Sequence, residues 1–292
     1  MTHTQPDLQT LVPDVYKGLC DDAAMFPPGN AAPPDAVAAH RRHRSAWYAA
    51  MVGPLLVRPG RVEEVADLAT DTLDIVLVVP EGPQEVSAAL DAVAARPELK
   101  LRGVEVAPAP DGYGVEAITP SVSILDSRLP EHVSGTVEVR RGGEFEPALD
   151  LLAHTRYRAK LRTGGLTAAA FPPVDEVAAF LLGCADRNLP FKCTAGLHHA
   201  VRHHDPETGF AYHGFLNILL ATAAAARGDI GLTTDILADR SAEAVASAAR
   251  RLRAADAKQA RELFVGYGTC DIAEPLADLT ALGLLAPPPE AR

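Results

Sequence analysis

The chain has 292 residues, of which 48% are hydrophobic and 22% are charged, a composition that excludes a disordered protein. Its formal net charge of −11 argues against nucleic acid and against an anionic membrane surface as partners. No apolar run reaches the length of about 18 residues that spans a bilayer. The four cysteines have no CxxC spacing, which favours free thiols in a reducing compartment, so we expect a cytoplasmic protein.

Residues 1–50 predict a helical and loop extension that packs on the main domain. Segments 12–19 and 35–50 have helical patterns, and the second has Pro34 near its start. The segment between them, 20–29, is rich in Asp, Pro and Gly and predicts a loop. Its two aspartates, Asp21 and Asp22, become interesting only if this loop folds over a site.

From Met51 onward, apolar segments alternate with helical segments, which is the pattern of parallel βαβ units. Seven segments predict strands: 51–57, 74–79, 99–106, 136–140, 159–162, 191–194 and 262–267. An eighth strand is expected at 118–125 or at 230–236. The sequence therefore predicts an α/β protein with a (βα)8 TIM-type barrel, closed or incomplete, over residues 51–292. A doubly wound open sheet is the alternative, although no GxGxxG turn follows the first strand.

Two lysines lie near the ends of consecutive predicted strands, where barrel enzymes carry their catalytic groups. Lys160 and Lys192 are these lysines, and Glu138 lies on the strand before them. A lysine near another cation and partly withdrawn from water has a lowered pKa and attacks carbonyls, while a glutamate can shuttle protons. We therefore expect alanine at either lysine to remove activity with little change in melting temperature. The structural alternative is a buried ion pair between Lys160 and Glu138.

Other residues near strand ends and in the loops predict a site for an anionic substrate. Backbone N–H groups in glycine loops can hold a phosphate or a carboxylate, and an arginine adds positive charge. The candidate substrate-binding residues are Glu105, Arg162, Gly164, Gly165, Thr194, His213, Asn217, Tyr267 and Gly268. Some have simpler explanations, since a glycine after a strand can mark only a turn and Asn217 can make only a core hydrogen bond.

Five of the ten histidines lie close together in the sequence: His198, His199, His203, His204 and His213. They form no HxH or HExxH spacing, so we assign no metal and no cofactor. His198 and His199 are instead candidate catalytic residues, one of which would act as an acid–base group or bind a carboxylate. A metal site built from this histidine cluster is the alternative.

Four motifs resemble a family of uncharacterised bacterial proteins: Asp22-Ala-Ala-Met-Phe-Pro-Pro, Lys160-Leu-Arg-Thr-Gly-Gly, Phe191-Lys-Cys-Thr-Ala-Gly-Leu-His-His and His213-Gly-Phe-Leu-Asn. This likeness covers most of the chain and implies no activity. The two lysine motifs also resemble, locally, the lysine strands of class I aldolases of the deoxyribose-phosphate aldolase type. That likeness implies that Lys160 forms an imine and that Lys192 lowers its pKa. The surrounding residues depart from the aldolase pattern and its catalytic aspartate has no match, so the two lysines could exchange roles.

The leading hypothesis is a carbon–carbon lyase or isomerase that acts on a small anionic, sugar-like carbonyl compound through a lysine imine. One alternative uses the lysines and Arg162 as an anion clamp, as in phosphoribosyl-transfer or sugar-phosphate enzymes. Another is a metal-dependent hydrolase or lyase that uses the histidine cluster. The last is a non-catalytic ligand-binding protein. We expect no nucleic-acid or membrane partner, and the sequence is compatible with a homodimer.

Overall fold

The computed structural model describes residues 11–109, 111–142 and 145–288 of the chain. Eight parallel strands form its centre: β1 (Cys20–Asp22), β2 (Val52–Val57), β3 (Leu73–Val79), β4 (Leu99–Val106), β5 (Ser134–Glu138), β6 (Arg158–Arg162), β7 (Phe191–Thr194) and β10 (Phe264–Thr269). Each strand pairs with the next in this order, and β10 pairs with β1, which closes the barrel. The predicted (βα)8 TIM-type barrel is therefore confirmed, and an open sheet is excluded.

Helices cover the outside of the barrel and connect its strands: α1 (Pro33–Ser45), α2 (Val62–Asp67), α3 (Val86–Ala94), α4 (Gly114–Arg128), α5 (Glu146–Ala153), α6 (Val174–Asp186), α7 (Phe215–Ala225), α8 (Ile230–Ala238), α9 (Ala242–Arg251), α10 (Ala254–Leu263) and α11 (Ala273–Ala281). Between β7 and α7 lies an antiparallel hairpin of β8 (His203–His204) and β9 (Ala211–Tyr212). This hairpin extends the loop that follows β7.

The eighth strand is β1, and both positions expected for it from the sequence were wrong. Residues 118–125 lie in α4 and residues 230–236 lie in α8. β1 lies within the segment predicted to be a loop, and it closes the barrel by pairing Cys20 with Tyr267 and with Val52. β1 has only three residues, two of which are aspartates, so its sequence shows no alternation of apolar and polar residues. Only pairing with the neighbouring strands therefore determines that this segment is a strand. Residues 1–10 of the predicted extension lie outside the described residues.

Several predicted helix boundaries also shift. A 3-10 turn at Asp14–Tyr16 replaces the helix expected at 12–19. The sequence pattern also predicts a helix over 210–227, but this helix begins at Phe215, because the residues before it pair in the β8–β9 hairpin. A further helix is predicted over 241–255, but it ends at Arg251, and α10 follows it. The pattern over 144–153 predicts a helix that corresponds to α5, and its predicted first residue lies outside the described residues.

Successive side chains along each strand point alternately toward the surrounding helices, where the main core lies, and toward the barrel interior. Leu55, Val57 and Leu77 belong to the main hydrophobic core, which also includes residues of the surrounding helices. Leu56 and Val78 belong to a separate, smaller apolar cluster. Because successive strand residues point to opposite faces, the residues between the core positions face the barrel interior. Glu105, Glu138, Lys160 and Lys192 occupy such interior positions.

One helical stretch, residues 168–186, is long and apolar enough to cross a membrane by length and composition. Its side chains Val177, Phe180 and Leu181 are fully buried against the barrel. Core packing therefore accounts for the apolar character of the buried face of α6.

A piece of the chain that starts at Met51 should not fold cooperatively. It lacks β1, so β2 and β10 would both have unpaired edges and the barrel could not close. We expect circular dichroism and urea unfolding to give a broad, weakly cooperative transition for this piece and a sharp one for the full chain. Equal transition midpoints for the two would contradict the role assigned to β1.

Candidate functional site

Five ionised side chains form a continuous chain of ion pairs inside the barrel. Glu105 lies at its centre, with Oε2 3.1 Å from Nζ of Lys160 and Oε1 2.5 Å from Nζ of Lys192. Lys160 also contacts Glu138, with a distance of 3.1 Å between Nζ and Oε2. Lys192 also donates to Oδ2 of Asp21. Acids and lysines therefore alternate, and each lysine lies between two carboxylates.

Strand register brings these groups together. β5 pairs Glu138 with Lys160, and β6 pairs Lys160 with Lys192, so all three point to the same face of the sheet. Glu105 reaches them from β4, the next strand beyond β5. The sequence prediction that Lys160, Lys192 and Glu138 are spatial neighbours therefore agrees with the structure.

A sixth charged residue, Arg158, lies two positions before Lys160 on β6 and points to the same face. Burial lowers the pKa of the Arg158 guanidinium, and the charges of Asp21 and Glu105 offset part of this effect. Three carboxylates thus face three cations inside the barrel. This balance matters because an uncompensated charge in a protein interior is costly.

Gly53 makes the space that Asp21 needs on the opposite side of the site. A Cβ atom at Gly53 of β2 would lie 1.9 Å from Oδ1 of Asp21. On β10, which separates β1 from β7, Gly268 pairs with Asp21 on one side and with Thr194 on the other. A larger side chain at Gly53 would therefore displace the Asp21 carboxylate from Lys192.

The two acids nearest to Lys192 differ in their pKa values. Burial acts to raise the pKa of Glu105, but the two lysines that contact it outweigh burial and lower this pKa to about 2. Burial raises the pKa of Asp21, and the single lysine that it contacts offsets only part of the effect. Glu105 therefore stays ionised at neutral and mildly acidic pH.

The lysines themselves are stabilised as cations, contrary to the expectation of a lowered pKa. Burial acts to lower the pKa of Lys160, but Glu105 and Glu138 outweigh it and the pKa is raised. Asp21 and Glu105 likewise raise the pKa of Lys192. The expectation was wrong because a carboxylate separates the two lysines, so neither faces the other directly.

The same contacts change the expected outcome of an alanine substitution. Lys160 is 3% exposed and Lys192 is 5% exposed. Removal of either lysine would leave one carboxylate without its cation and Glu105 with only one lysine, at a cost of about 3–5 kcal/mol in the free energy of unfolding. The expected near-constant melting temperature is therefore not supported.

A cavity of about 760 Å³ opens above the ion-pair chain at the carboxyl ends of the strands. Lys160, Glu105 and Glu138 face it, whereas Lys192 lies beneath them. The other predicted site residues that line it are Arg162, Gly165, Thr194, His198, His199 and Gly268. Gly164 lines a smaller cavity of about 410 Å³, which shares Arg162 and Glu138 with the first.

Three predicted substrate-binding residues lie away from both cavities. Tyr267 is fully buried, and its hydroxyl accepts a hydrogen bond from Cys20 at 3.2 Å. Asn217 accepts from the backbone N–H of Arg202 and donates to two carbonyl groups near the end of α8. His213 contacts the Pro172 carbonyl and Arg202, and burial lowers its pKa to about 4. All three side chains hold elements together behind the site.

The histidines of the cavity rim are paired with acids of α11. Nδ1 of His198 lies 2.8 Å from Glu274, and Nδ1 of His199 lies 3.2 Å from Asp278. The hydrogen bond to Asp278 raises the pKa of His199. Within the described parts of the chain, no three His, Cys, Asp or Glu side chains are arranged to hold a metal ion. The rim histidines are therefore anchored to the helix that follows β10.

Sequence reasoning missed Arg158 and left Asp21 in a loop. Arg158 could have been found, because Arg158, Lys160 and Arg162 recur at the period of two that marks one face of a strand. Asp21 gave no such signal, since a three-residue strand has no alternation to recognise. Glu105 was placed correctly on its strand, but its position between the two lysines was not expected.

No family model, no curated protein and no solved structure matches this chain.

Alanine at Gly53 should destabilise the protein by about 3–5 kcal/mol, the cost of breaking a buried ion pair. The new methyl group would displace Asp21 from Lys192. Urea unfolding gives the free energy, and Gly60→Ala is the matched control, because a Cβ at Gly60 meets no atom within 4 Å. Equal stability of the two variants would show that Asp21 does not depend on the space at Gly53.

Glutamine at Glu105 should lower the free energy of unfolding by about 3–5 kcal/mol at neutral pH, because both lysines lose a shared counter-ion. The pKa of Glu105 is depressed, so its ionised form stabilises the fold above about 4.5 and loses this effect as the pH falls toward about 2. The difference between the two proteins, measured by urea unfolding, should therefore shrink in acid. The exposed Glu262→Gln serves as the control, and a pH-independent difference would contradict the ion-pair assignment.

Proposed function

We propose that the protein is an enzyme in which Lys160 forms an imine with a small anionic carbonyl compound, followed by cleavage, formation or rearrangement of a carbon–carbon bond. The observation that carries the proposal is a lysine amine at the floor of a large cavity, between two carboxylates. The barrel fold is common to many enzymes, and their active sites lie at this end of the strands.

Lys160 is the better nucleophile of the two lysines because it faces the cavity, together with both of its acids. Lys192 lies beneath and contacts Glu105 from the other side. Its positive charge keeps Glu105 ionised and compensates part of the negative charge that Lys160 experiences. Lys192 is therefore a positioning residue, in keeping with the resemblance to the lysine strands of class I aldolases.

The reaction requires Lys160 to lose a proton before its nitrogen attacks the carbonyl carbon. Glu138 contacts Nζ at 3.1 Å and faces the cavity, so it accepts this proton. It then gives this proton to the carbonyl oxygen, takes a second proton from the nitrogen of the resulting carbinolamine and passes it to the hydroxyl group, which leaves as water. The products are water and a protonated imine, and Glu138 ends as an anion again.

The two carboxylates beside Lys160 also stabilise the protonated imine. Glu105 and Glu138 raise the pKa of the Lys160 amine because they favour a cation at Nζ. A protonated imine carries its positive charge at the same nitrogen, so it gains the same stabilisation. This cation withdraws electrons from the bonds next to the former carbonyl carbon, which allows one of them to break.

The anionic part of the substrate would bind to arginines at the cavity rim. Arg58 and Arg162 line the cavity from β2 and β6, on opposite sides of the barrel. In the described residues, neither guanidinium has a carboxylate within ion-pair distance. Both lysines, by contrast, are saturated by carboxylates, which disfavours the alternative in which they clamp a phosphate. The free cysteines fit the expected cytoplasmic location.

Borohydride should trap the imine at Lys160. Incubation with pyruvate and borohydride, followed by peptide mass mapping, should give an adduct on the peptide that contains Lys160. The yield should rise with pH by up to about tenfold per unit between about pH 6 and pH 9, because the raised pKa leaves little neutral amine.

Two variants control for unspecific labelling. Lys160→Met should lose the mapped adduct, whereas Lys258→Met, at an exposed lysine of α10, should retain it. An adduct confined to exposed lysines in the unmodified protein would contradict the proposal, whatever the stability of the Lys160 variant.

A further inference from the structure

The cavity is much larger than a substrate of three or four carbon atoms requires. Its volume of about 760 Å³ falls within the range of about 300–1,000 Å³ typical of pockets that enclose drug-sized ligands. The reactive groups Lys160, Glu105 and Glu138 occupy only its floor. The other residues that line the cavity therefore indicate which chemical groups the rest of the substrate contains.

One side of the cavity is an aliphatic wall, formed by Ala23, Leu56 and Val78, with the ring of Phe26 packed against it. These residues belong to an apolar cluster that is separate from the main hydrophobic core. Leu56 is 3% exposed and Val78 is 8% exposed, so little of this wall meets solvent beyond the cavity. A substrate that was polar along its whole length would gain nothing from such a surface.

The other side includes an aromatic wall, formed by His203, Phe210 and Tyr212 of the β8–β9 hairpin region, with Asp205 and Thr208 of the same region also lining the cavity. The rings of His203 and Tyr212 stack, with centroids 5.3 Å apart and planes at 15°. Phe171 supports the wall, with its ring centroid 5.2 Å from that of Phe210 and 4.5 Å from that of Tyr212. Packing therefore fixes these rings in place before any ligand binds.

The two walls face each other across the barrel mouth. The aromatic wall follows β7, and β3, which carries Val78, is the strand opposite β7 in the ring of eight. Arg162 lines the same cavity next to the reactive floor. The space between the walls thus has aliphatic side chains on one side and aromatic rings on the other, and it has a cation near the Lys160 amine.

We propose that the substrate is a 2-oxo acid that carries an aromatic ring, which lies between the aliphatic and aromatic walls while its carboxylate binds Arg162. This inference rests on the proposed imine at Lys160 and specifies the substrate class of that site. Flat rings gain from contact with fixed aromatic side chains and with aliphatic groups. The single ring also accounts for the cavity volume that a small sugar-like compound would leave empty.

Two probes that differ only by the ring test the inference: 2-oxobutanoate and 4-phenyl-2-oxobutanoate. Their half-saturating concentrations are measured by borohydride trapping and, independently of imine formation, by calorimetric titration. Burial of a phenyl ring should lower the half-saturating concentration at least about tenfold. Equal values for the two probes, or binding of neither, would overturn the proposal.

Variants of both walls locate the ring. Tyr212→Ala and Leu56→Ala should each reduce the preference for the phenyl probe several-fold, and Tyr113→Ala should retain it, because Tyr113 is an exposed aromatic residue away from this cavity. A preference that survives in both wall variants would overturn the proposed position of the ring. Calorimetric preference for the phenyl probe without any trapping at Lys160 would support the ring site and contradict the imine function.

Discussion

The cost of burying an ammonium group determines how the interior of this barrel is arranged. Lys160 and Lys192 are almost fully enclosed, and each is compensated by two carboxylates. Because Glu105 contacts both, the two lysines cannot be understood separately. Removing any member would leave a neighbour uncompensated in a medium that solvates charge poorly. The polar interior is thus a single unit in which Arg158 completes the charge balance.

This unit depends on parts of the chain that carry no charge themselves. Asp21 reaches Lys192 only because β1 closes the barrel and because Gly53 lacks a side chain at the point where the carboxylate lies. On β10, Gly268 lies between Asp21 and Thr194 in the pairing of the strands. The backbone of the N-terminal segment therefore contributes to the site as directly as the lysine strands do.

The same electrostatics fit the proposed chemistry in a way that a lowered lysine pKa would not. A site that favours a neutral amine speeds the first attack but gives little stabilisation to the cation that follows. Here, Glu105 and Glu138 favour positive charge at Nζ of Lys160 throughout. In the proposed reaction, the site would stabilise the protonated imine but slow the deprotonation of Lys160, which Glu138 would assist from the cavity side.

The sequence by itself determined the repeating architecture and the location of the two lysines on neighbouring strands. Apolar strands alternating with helices define parallel βαβ units, and the period of two places Lys160 and Lys192 on one face of adjacent strands. Strand β1 has too few residues to produce a periodic pattern, so only its partners in the closed barrel specify it. The direction of the lysine pKa shifts was likewise decided by tertiary structure, because it depends on Glu105 and Asp21 from strands distant in the sequence. The sequence does not show whether His213, Asn217 and Tyr267 line a cavity or pack behind it. Only the three-dimensional structure shows that these side chains pack behind the site.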